Sequence, residues 1–361
     1  MYMCKMVVIS GSSGCLRTYS MMRSMRRIQK LQAFYTTVRC LSTEWQQQYY
    51  KVDSLHEPVF ADSKHLFRHV QKNLLYDNEN LLAFNKPSGV PMRALPGETV
   101  PSMFDILEDL RECYDTPELE YMLGLSRNQS GIILLVKHAL AKVKLRKSLQ
   151  AQRSQGEINH EFICVCLGEP AFTPELEKVH YQRKEINGCK QSVVVPNFHK
   201  NMKKGTVSSF KVQAEVLATS PVESSPKVSL VGITSNGGKK ECLEMYMAEH
   251  LSPILGDHVY SHRVVNLAGE SLKNDTNAAI QGPQVIPAEI KNLLKIGRQG
   301  HQVPLHLHKC GLTINRFPHK KSEPFTIESP LPGFFVDTMA KLQLLPNDQD
   351  IEEFDQEEFT D

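Results

Sequence analysis

A mixed α/β domain is the fold class expected for this 361-residue sequence, and three observations of its segments agree with it. Short apolar runs of strand length recur along the chain, at 81–84, 132–136 and 161–170. Longer segments with helical spacing lie between them, notably 102–114 and 138–152. The hydrophobic content of 41% is adequate for a buried core. No apolar run approaches the ~18–20 residues that a membrane-spanning helix needs.

The first 41 residues stand apart. They hold Lys5, Arg17, Arg23, Arg26, Arg27, Lys30 and Arg39, and no acid precedes Glu44. Basic, Ser/Thr-containing and acid-free sequence is the make-up of a mitochondrial transit peptide. Arg39-Cys40-Leu41 ahead of Ser42 resembles a matrix-protease cleavage site with arginine three residues before the cut. A disordered basic tail is the plainer reading. Residues 1–41 are thus expected to be a leader to the mitochondrial matrix, and 42–73 a polar extension that is helical in part. Without the leader, Lys+Arg falls from 42 to 35 against 40 Asp+Glu, so any RNA contact must rest on a local patch. At the other end, 346–361 includes eight acids and no base, and reads as a solvated tail.

The domain between, 74–345, is read element by element. Tyr76 to Asn80 is a turn cluster, Leu81 to Phe84 a short strand, and Asn85-Lys86-Pro87-Ser88-Gly89 a rigid turn. Apolar residues at 103, 104, 106, 107, 110 and 114 predict a one-sided helix with Ser102 as N-cap. After the strand 132–136, HALAKVKLRKSLQAQ predicts a helix with Leu140, Val143 and Leu149 inside. Its bases, Lys142, Lys144 and Arg146 among them, form either a solvated face or an RNA-phosphate patch. Cys164 and Cys166 share a face of the next strand, and fit a core or edge better than a metal site. Phe210 to Thr219 alternates as a half-buried strand, with Lys227 to Ile233 its expected neighbour. Residues 261–300 resemble an insertion, and 304–314 with 323–335 close the domain.

Several of these segments share one resemblance. LGLSRNQSGIILLVK, Leu123 to Lys137, resembles the central motif of the RluA-type RNA pseudouridine synthases, H-R-L-D-x-x-T-S-G followed by an apolar strand. Asn85 to Gly89 resembles their N-K-P-x-G, Glu161 to Pro170 their K-x-Y strand, and Ser252 to Asp257 with Tyr260 a further signature. The closing 304–335 resembles their last strand pair and P-L-P terminus. Ordered matches run with gaps from Leu74 to Leu345, about three quarters of the chain. The resemblance implies a long bent, mostly antiparallel sheet with flanking helices and a central RNA-binding cleft. It implies isomerisation of a flipped uridine to pseudouridine, with no metal or other cofactor, and an RNA partner from mitochondria, messenger or ribosomal. RNA-granule or ribosome assembly proteins are further candidate partners.

The residues that would do the chemistry depart from the family pattern. The reactive aspartate falls at Ser126, the family arginine two residues earlier at Gly124, and the family tyrosine at Phe162. The third motif, G-R-x-H-Q-[IL]-R-V-H-[LM]-A, is met by GGKKECLEMYMA, Gly237 to Ala248, placing Lys239 at its first arginine and Glu244 at its second. That second arginine pairs with the aspartate in relatives, so both partners differ here. Removing one member of a buried ion pair costs about 3–5 kcal/mol, whereas replacing both can be nearly neutral. Ser126 is then an ordinary turn residue, or a nucleophile needing a base such as His138 or His160. Glu244 faces solvent, binds Lys239 or Lys240, or supplies a carboxylate to the cleft. Lys86, Arg127, Lys142, Lys144, Arg146, Lys239 and Lys240 are the candidate RNA contacts, and His306 and His308 are expected to be structural. Two functions stay open: an isomerase using a relocated group, and a non-catalytic RNA chaperone or assembly factor.

Overall fold

A computed structural model describes residues 60–186, 188–196, 207–237, 241–267, 269–275, 282–296 and 303–345. The transit-peptide, tail, Lys239 and Lys240 expectations lie outside these residues.

The first element is a helix, α1 (Ser63–Lys72), capped by the Asp62 carboxylate, which accepts from the His65 N–H at 2.8 Å. Its Leu66 and Val70 are fully buried, so packing begins within the polar extension, ahead of Leu74. Strands β1 (Leu74–Asp77) and β2 (Leu81–Lys86) then form a hairpin whose turn is organised by Asn78, its Oδ1 accepting from the N–H groups of Asn80 and Leu81. The predicted 102–114 helix opens as a 3-10 turn, Met103–Ile106, and continues as α2 (Leu107–Cys113). The Asp105 carboxylate accepts the Ser102 N–H at 2.8 Å, closing the start.

Next come β3 (Glu120–Leu123), β4 (Ser130–Val136), α3 (Ala139–Gln155) and β5 (His160–Leu167). The orientation expected for α3 is corrected. Leu140 and Val143 are 58% and 50% exposed, and Leu149 is half-buried. The inward positions are Ala141, Leu145, Ser148 and Gln152, spaced as one helix face. His138 sets that phase by capping the helix through Nδ1, and Ser148 holds it by donating to the Asn315 carbonyl at 2.5 Å. Two of the four core-facing residues are polar and tied to backbone, which an apolar count does not find.

The remaining strands are β6 (Glu177–Ile186), β7 (Cys189–Val194), β8 (Val207–Thr219), β9 (Val228–Ser235), β10 (Val264–Leu267), β11 (Glu270–Lys273), β12 (Leu307–Ile314) and β13 (Phe325–Glu328). The helices are α4 (Cys242–Glu249), α5 (Ala288–Leu293) and α6 (Gly333–Lys341). Strands β10 and β11 make a separate hairpin within the expected insertion. The other eleven form one sheet ordered β1-β2-β4-β12-β5-β9-β8-β6-β7, with β3 added on β4 and β13 on β12. Every pairing is antiparallel except β4 with β12. The class is therefore mixed α/β with a mostly antiparallel sheet, as the sequence predicts.

One place in this sheet matters for the site. Strand β4 pairs with β12 only at its start, through Ser130 and Gly131, and with β3 at its end. Strand β12 likewise leaves β4 after Lys309 and takes up β13 from Gly311. The sheet forks there, and the segment 124–129 spans the fork between β3 and β4.

Candidate active site

The central motif lies in the loop at this fork. Its backbone is held from below by the N-K-P-S-G turn. The Lys86 ammonium donates to the carbonyls of Pro87 at 2.7 Å, Val90 at 2.8 Å and Arg127 at 3.0 Å. The Ser88 hydroxyl donates to the Asn128 carbonyl at 2.5 Å. Lys86 is 0% exposed, so its expected phosphate contact gives way to a different role: it ties two loops together and offers no charge to RNA. A lysine closing a strand that ends at Pro87 looks in sequence like any surface cation, and only its burial reveals the role.

Gly131 fixes the other side of the loop. Its φ is +114°, and a β-carbon there would lie 2.3 Å from the Lys309 carbonyl oxygen. Only glycine permits that approach of β4 to β12. Beside it, the Ser130 hydroxyl and His308 Nδ1 are 2.9 Å apart. His306 meets the Pro304 carbonyl and the Thr338 hydroxyl, both at 2.8 Å. Burial draws both imidazoles down to about 4, so both are neutral packing groups. Among the described residues no group of three or more His, Cys, Asp or Glu is arranged to hold a metal ion.

Ser126 is half-buried in the irregular segment, and among the described residues its hydroxyl has no hydrogen-bond partner. His138 is occupied as a helix cap. His160 opens β5 with its ring 6.3 Å from that of Phe162. Phe162 itself is 2% exposed, in the core cluster that packs under α4.

Helix α4 carries Glu244 over the sheet, with 242–248 all buried. Glu244 does not reach solvent. Its Oε1 accepts from Gln129 Nε2 at 2.9 Å, while Oε2 is buried without a partner. Burial chiefly, and then the charges of Asp257 and Glu241, push the Glu244 carboxyl up to about 8, so it is protonated at neutral pH. The structure thus joins two residues, one on the Ser126 loop and one on α4. Sequence reasoning misses Gln129; its signal is a long amide where the motif has a short threonine, three residues after Ser126.

The candidate phosphate contacts scatter. Arg127 is ion-paired with Glu98 at partial exposure, and that acid also accepts the Leu95 N–H. Lys142 is bonded to both oxygens of Glu120, at 2.8 and 2.6 Å. Lys144 is half-buried and Arg146 exposed, both on α3.

No protein-family model matches the chain. Whole-sequence comparison finds relatives. The chain is 24% identical over 308 residues to a mitochondrial pseudouridylate synthase, RPUSD4, of Danio rerio, covering 81% of this chain and 78% of that protein. It is 27% identical over 272 residues to a mitochondrial mRNA pseudouridine synthase, RPUSD3, of Homo sapiens, covering 73% and 74%. The solved structure of human RNA pseudouridylate synthase domain containing 4 superposes with a TM-score of 0.56 at 18% identity, over 77% of this chain and 95% of that one. The chain is similar in sequence to mitochondrial pseudouridine synthases and shares the fold of one of them. The loop frame of Lys86, Ser88 and Gly131 stands beside the hydrogen-bonded pair Gln129 and Glu244. A protonated carboxyl beside a neutral amide places no charge at that buried pair.

Proposed function

We propose that this is a mitochondrial RNA-binding protein whose inherited reaction is isomerisation of uridine to pseudouridine in mitochondrial messenger or ribosomal RNA. The observation that carries the reading is the fork loop, pinned by Lys86 and Ser88 and clamped at Gly131, in a fold superposable on a pseudouridylate synthase. The curated relatives, named as mitochondrial, support that location, and the acid-free leader supports the matrix. Among the described residues no helix is long and apolar enough to cross a membrane.

The reaction requires a proton to leave C5 of the base and one to reach N1. A carboxyl held up to about 8 suits such transfer near neutral pH. Glu244 is therefore the group through which an isomerase lacking the aspartate would act. A second reading has its own support: among the described residues Ser126 has no activating partner, and Glu244 Oε2 is buried with none. On that reading the protein is an RNA chaperone or assembly factor, with RNA-granule or ribosome assembly proteins as partners.

Mapping pseudouridine at single-nucleotide resolution in mitochondrial RNA tests the choice. Sites that vanish on knockout, return with wild type and Ser126→Ala, and stay absent with Glu244→Gln establish the isomerase. Crosslinks to RNA with every uridine unchanged establish the chaperone. Neither crosslinks nor altered sites would sink both.

A further inference from the structure

The outer face of α3 combines exposed apolar side chains with unpaired cations. Leu140 and Val143 are 58% and 50% exposed, and at three residues apart they are neighbours on that face. Lys144, Arg146 and Lys147 stand three or four residues from one or the other. Among the described residues none of these three cations has an ion-pair partner, unlike Lys142, which is held by Glu120. The loop after β12 adds charge beside the helix. It is fastened to α3 by the Ser148 bond to the Asn315 carbonyl and by Phe317, which clusters with Ala141 and Leu145. It carries Lys320 and Lys321, both exposed and likewise without ion pairs among the described residues.

Such a surface calls for an occupant that is acidic and apolar at once. Phosphates satisfy the cations but leave Leu140 and Val143 in water. Residues 346–361 have both properties, with eight acids, no base, and Ile351, Phe354 and Phe359 among them. The chain enters this segment from a fixed point: Leu344 is 1% exposed, and the Leu342 carbonyl accepts the Ser220 hydroxyl at 2.6 Å. Fully extended, the segment reaches about 50 Å, roughly the width of a domain of this size, so α3 is within range. The exposed face of the β10–β11 hairpin is a poorer match, because Val265, Leu267 and Leu272 share it with Glu270, which repels acids.

We propose that residues 346–361 dock on the outer face of α3, their apolar residues on Leu140 and Val143 and their acids on Lys144, Arg146 and Lys147. Ile351 and Phe354 have the same three-residue spacing as Leu140 and Val143. The docked segment shields these cations from RNA phosphates. That consequence rests on the RNA-binding reading above, and the docking itself does not.

A photoreactive benzoylphenylalanine in place of Phe354 of the full-length protein tests the docking without RNA. Irradiation at low salt should crosslink it, at monomer mass, to the peptide containing Leu140 to Lys147. Leu140→Ser with Val143→Ser, both exposed, should leave the melting temperature unchanged and cut the yield about fivefold or more. Salt at about 0.5 M should lower the yield too. Crosslinks scattered over the surface would mark a solvated tail, crosslinks to another peptide a different dock, and crosslinks at dimer mass a contact between copies. Each of these overturns the proposal, as does a yield indifferent to the double variant. Shielding is read by titrating full-length protein with fluorescent oligouridylate at low salt. The double variant should bind about three- to tenfold more tightly than wild type, and so should Glu352→Gln, Glu353→Gln, Glu357→Gln and Glu358→Gln combined. A gain confined to the glutamine protein would show plain charge repulsion and overturn shielding, as would unchanged binding by both. Crosslinks to α3 in a protein that binds no RNA, wild type or variant, would remove the RNA-binding reading and leave the docking in place.

Discussion

Replacing Glu244 by glutamine has a sign and a size that the structure dictates. The carboxyl titrates at about 8 in the fold against an ordinary 4.5, chiefly through burial. The folded protein therefore keeps a proton that the unfolded chain has already lost. Stability from this group is fullest below about 4.5, declines as pH rises through the interval up to about 8, and is level beyond it. Taken at face value the rise corresponds to about 5 kcal/mol, and relaxation of a buried site reduces this to about 2–5 kcal/mol. Glutamine keeps the shape and an acceptor for Gln129 Nε2 but carries no charge, so Glu244→Gln should lack the decline. Urea unfolding followed by circular dichroism should find the two proteins within about 1 kcal/mol at pH 5. At pH 8.5 the variant should be the more stable by about 2–5 kcal/mol. Asp257, His306, His308 and Lys309 also titrate from shifted values, but they are common to both proteins and largely cancel in the difference. Parallel pH profiles would show that Glu244 is charged in the fold, and the neutral amide–carboxyl pair would have to be abandoned.

Three further outcomes follow from the loop frame. Gly131→Ala places a β-carbon 2.3 Å from the Lys309 carbonyl oxygen at a φ of +114°, and should cost about 3–5 kcal/mol in urea unfolding; a loss below about 1 kcal/mol would mean that β4 and β12 are not clamped there. Lys86→Met strips three backbone carbonyls of their donor and should destabilise by about 2–4 kcal/mol at any salt concentration, where a surface phosphate contact would leave stability untouched. Glu98→Gln releases Arg127 and should raise affinity for oligouridylate about two- to fivefold at low salt; unchanged binding would place Arg127 away from the RNA.

Several strand positions were readable because the strands are bounded by turn residues whose chemistry is local, whereas their order in the sheet was not. Asn78, Pro87 and Gly89 bend the chain wherever they stand. The orientation of α3 was not readable, because its inward face is chosen by a histidine cap and two polar side chains bonded to backbone 160 and more residues away. Burial of charge was equally hidden. Lys86 and Lys309 are the same letter as Lys144, and nothing in their neighbours distinguishes a lysine that ties loops, one buried in the sheet and one on a helix flank. Ser126 and Glu244 could be singled out in the sequence by resemblance; that Glu244 meets Gln129, 115 residues away, required the fold.

That meeting bears on the proposed joint replacement of the family's charged pair. A lone Glu244 facing an aspartate in place of Ser126 would set two carboxylates near one another in a site already shared with Asp257 and Glu241. With serine there the loop side becomes neutral, and Gln129 supplies the donor that an arginine would otherwise give. Ser126→Asp alone should therefore not restore the family's reaction centre. It should push Glu244 higher still and weaken the fold above neutral pH, whereas Ser126→Asp together with Glu244→Arg rebuilds a charge pair. If the double variant is more stable at pH 8 than Ser126→Asp by about 3 kcal/mol or more, the two positions interact across the fork. If the two changes simply add, they do not, and Glu244 belongs to the core of α4 alone.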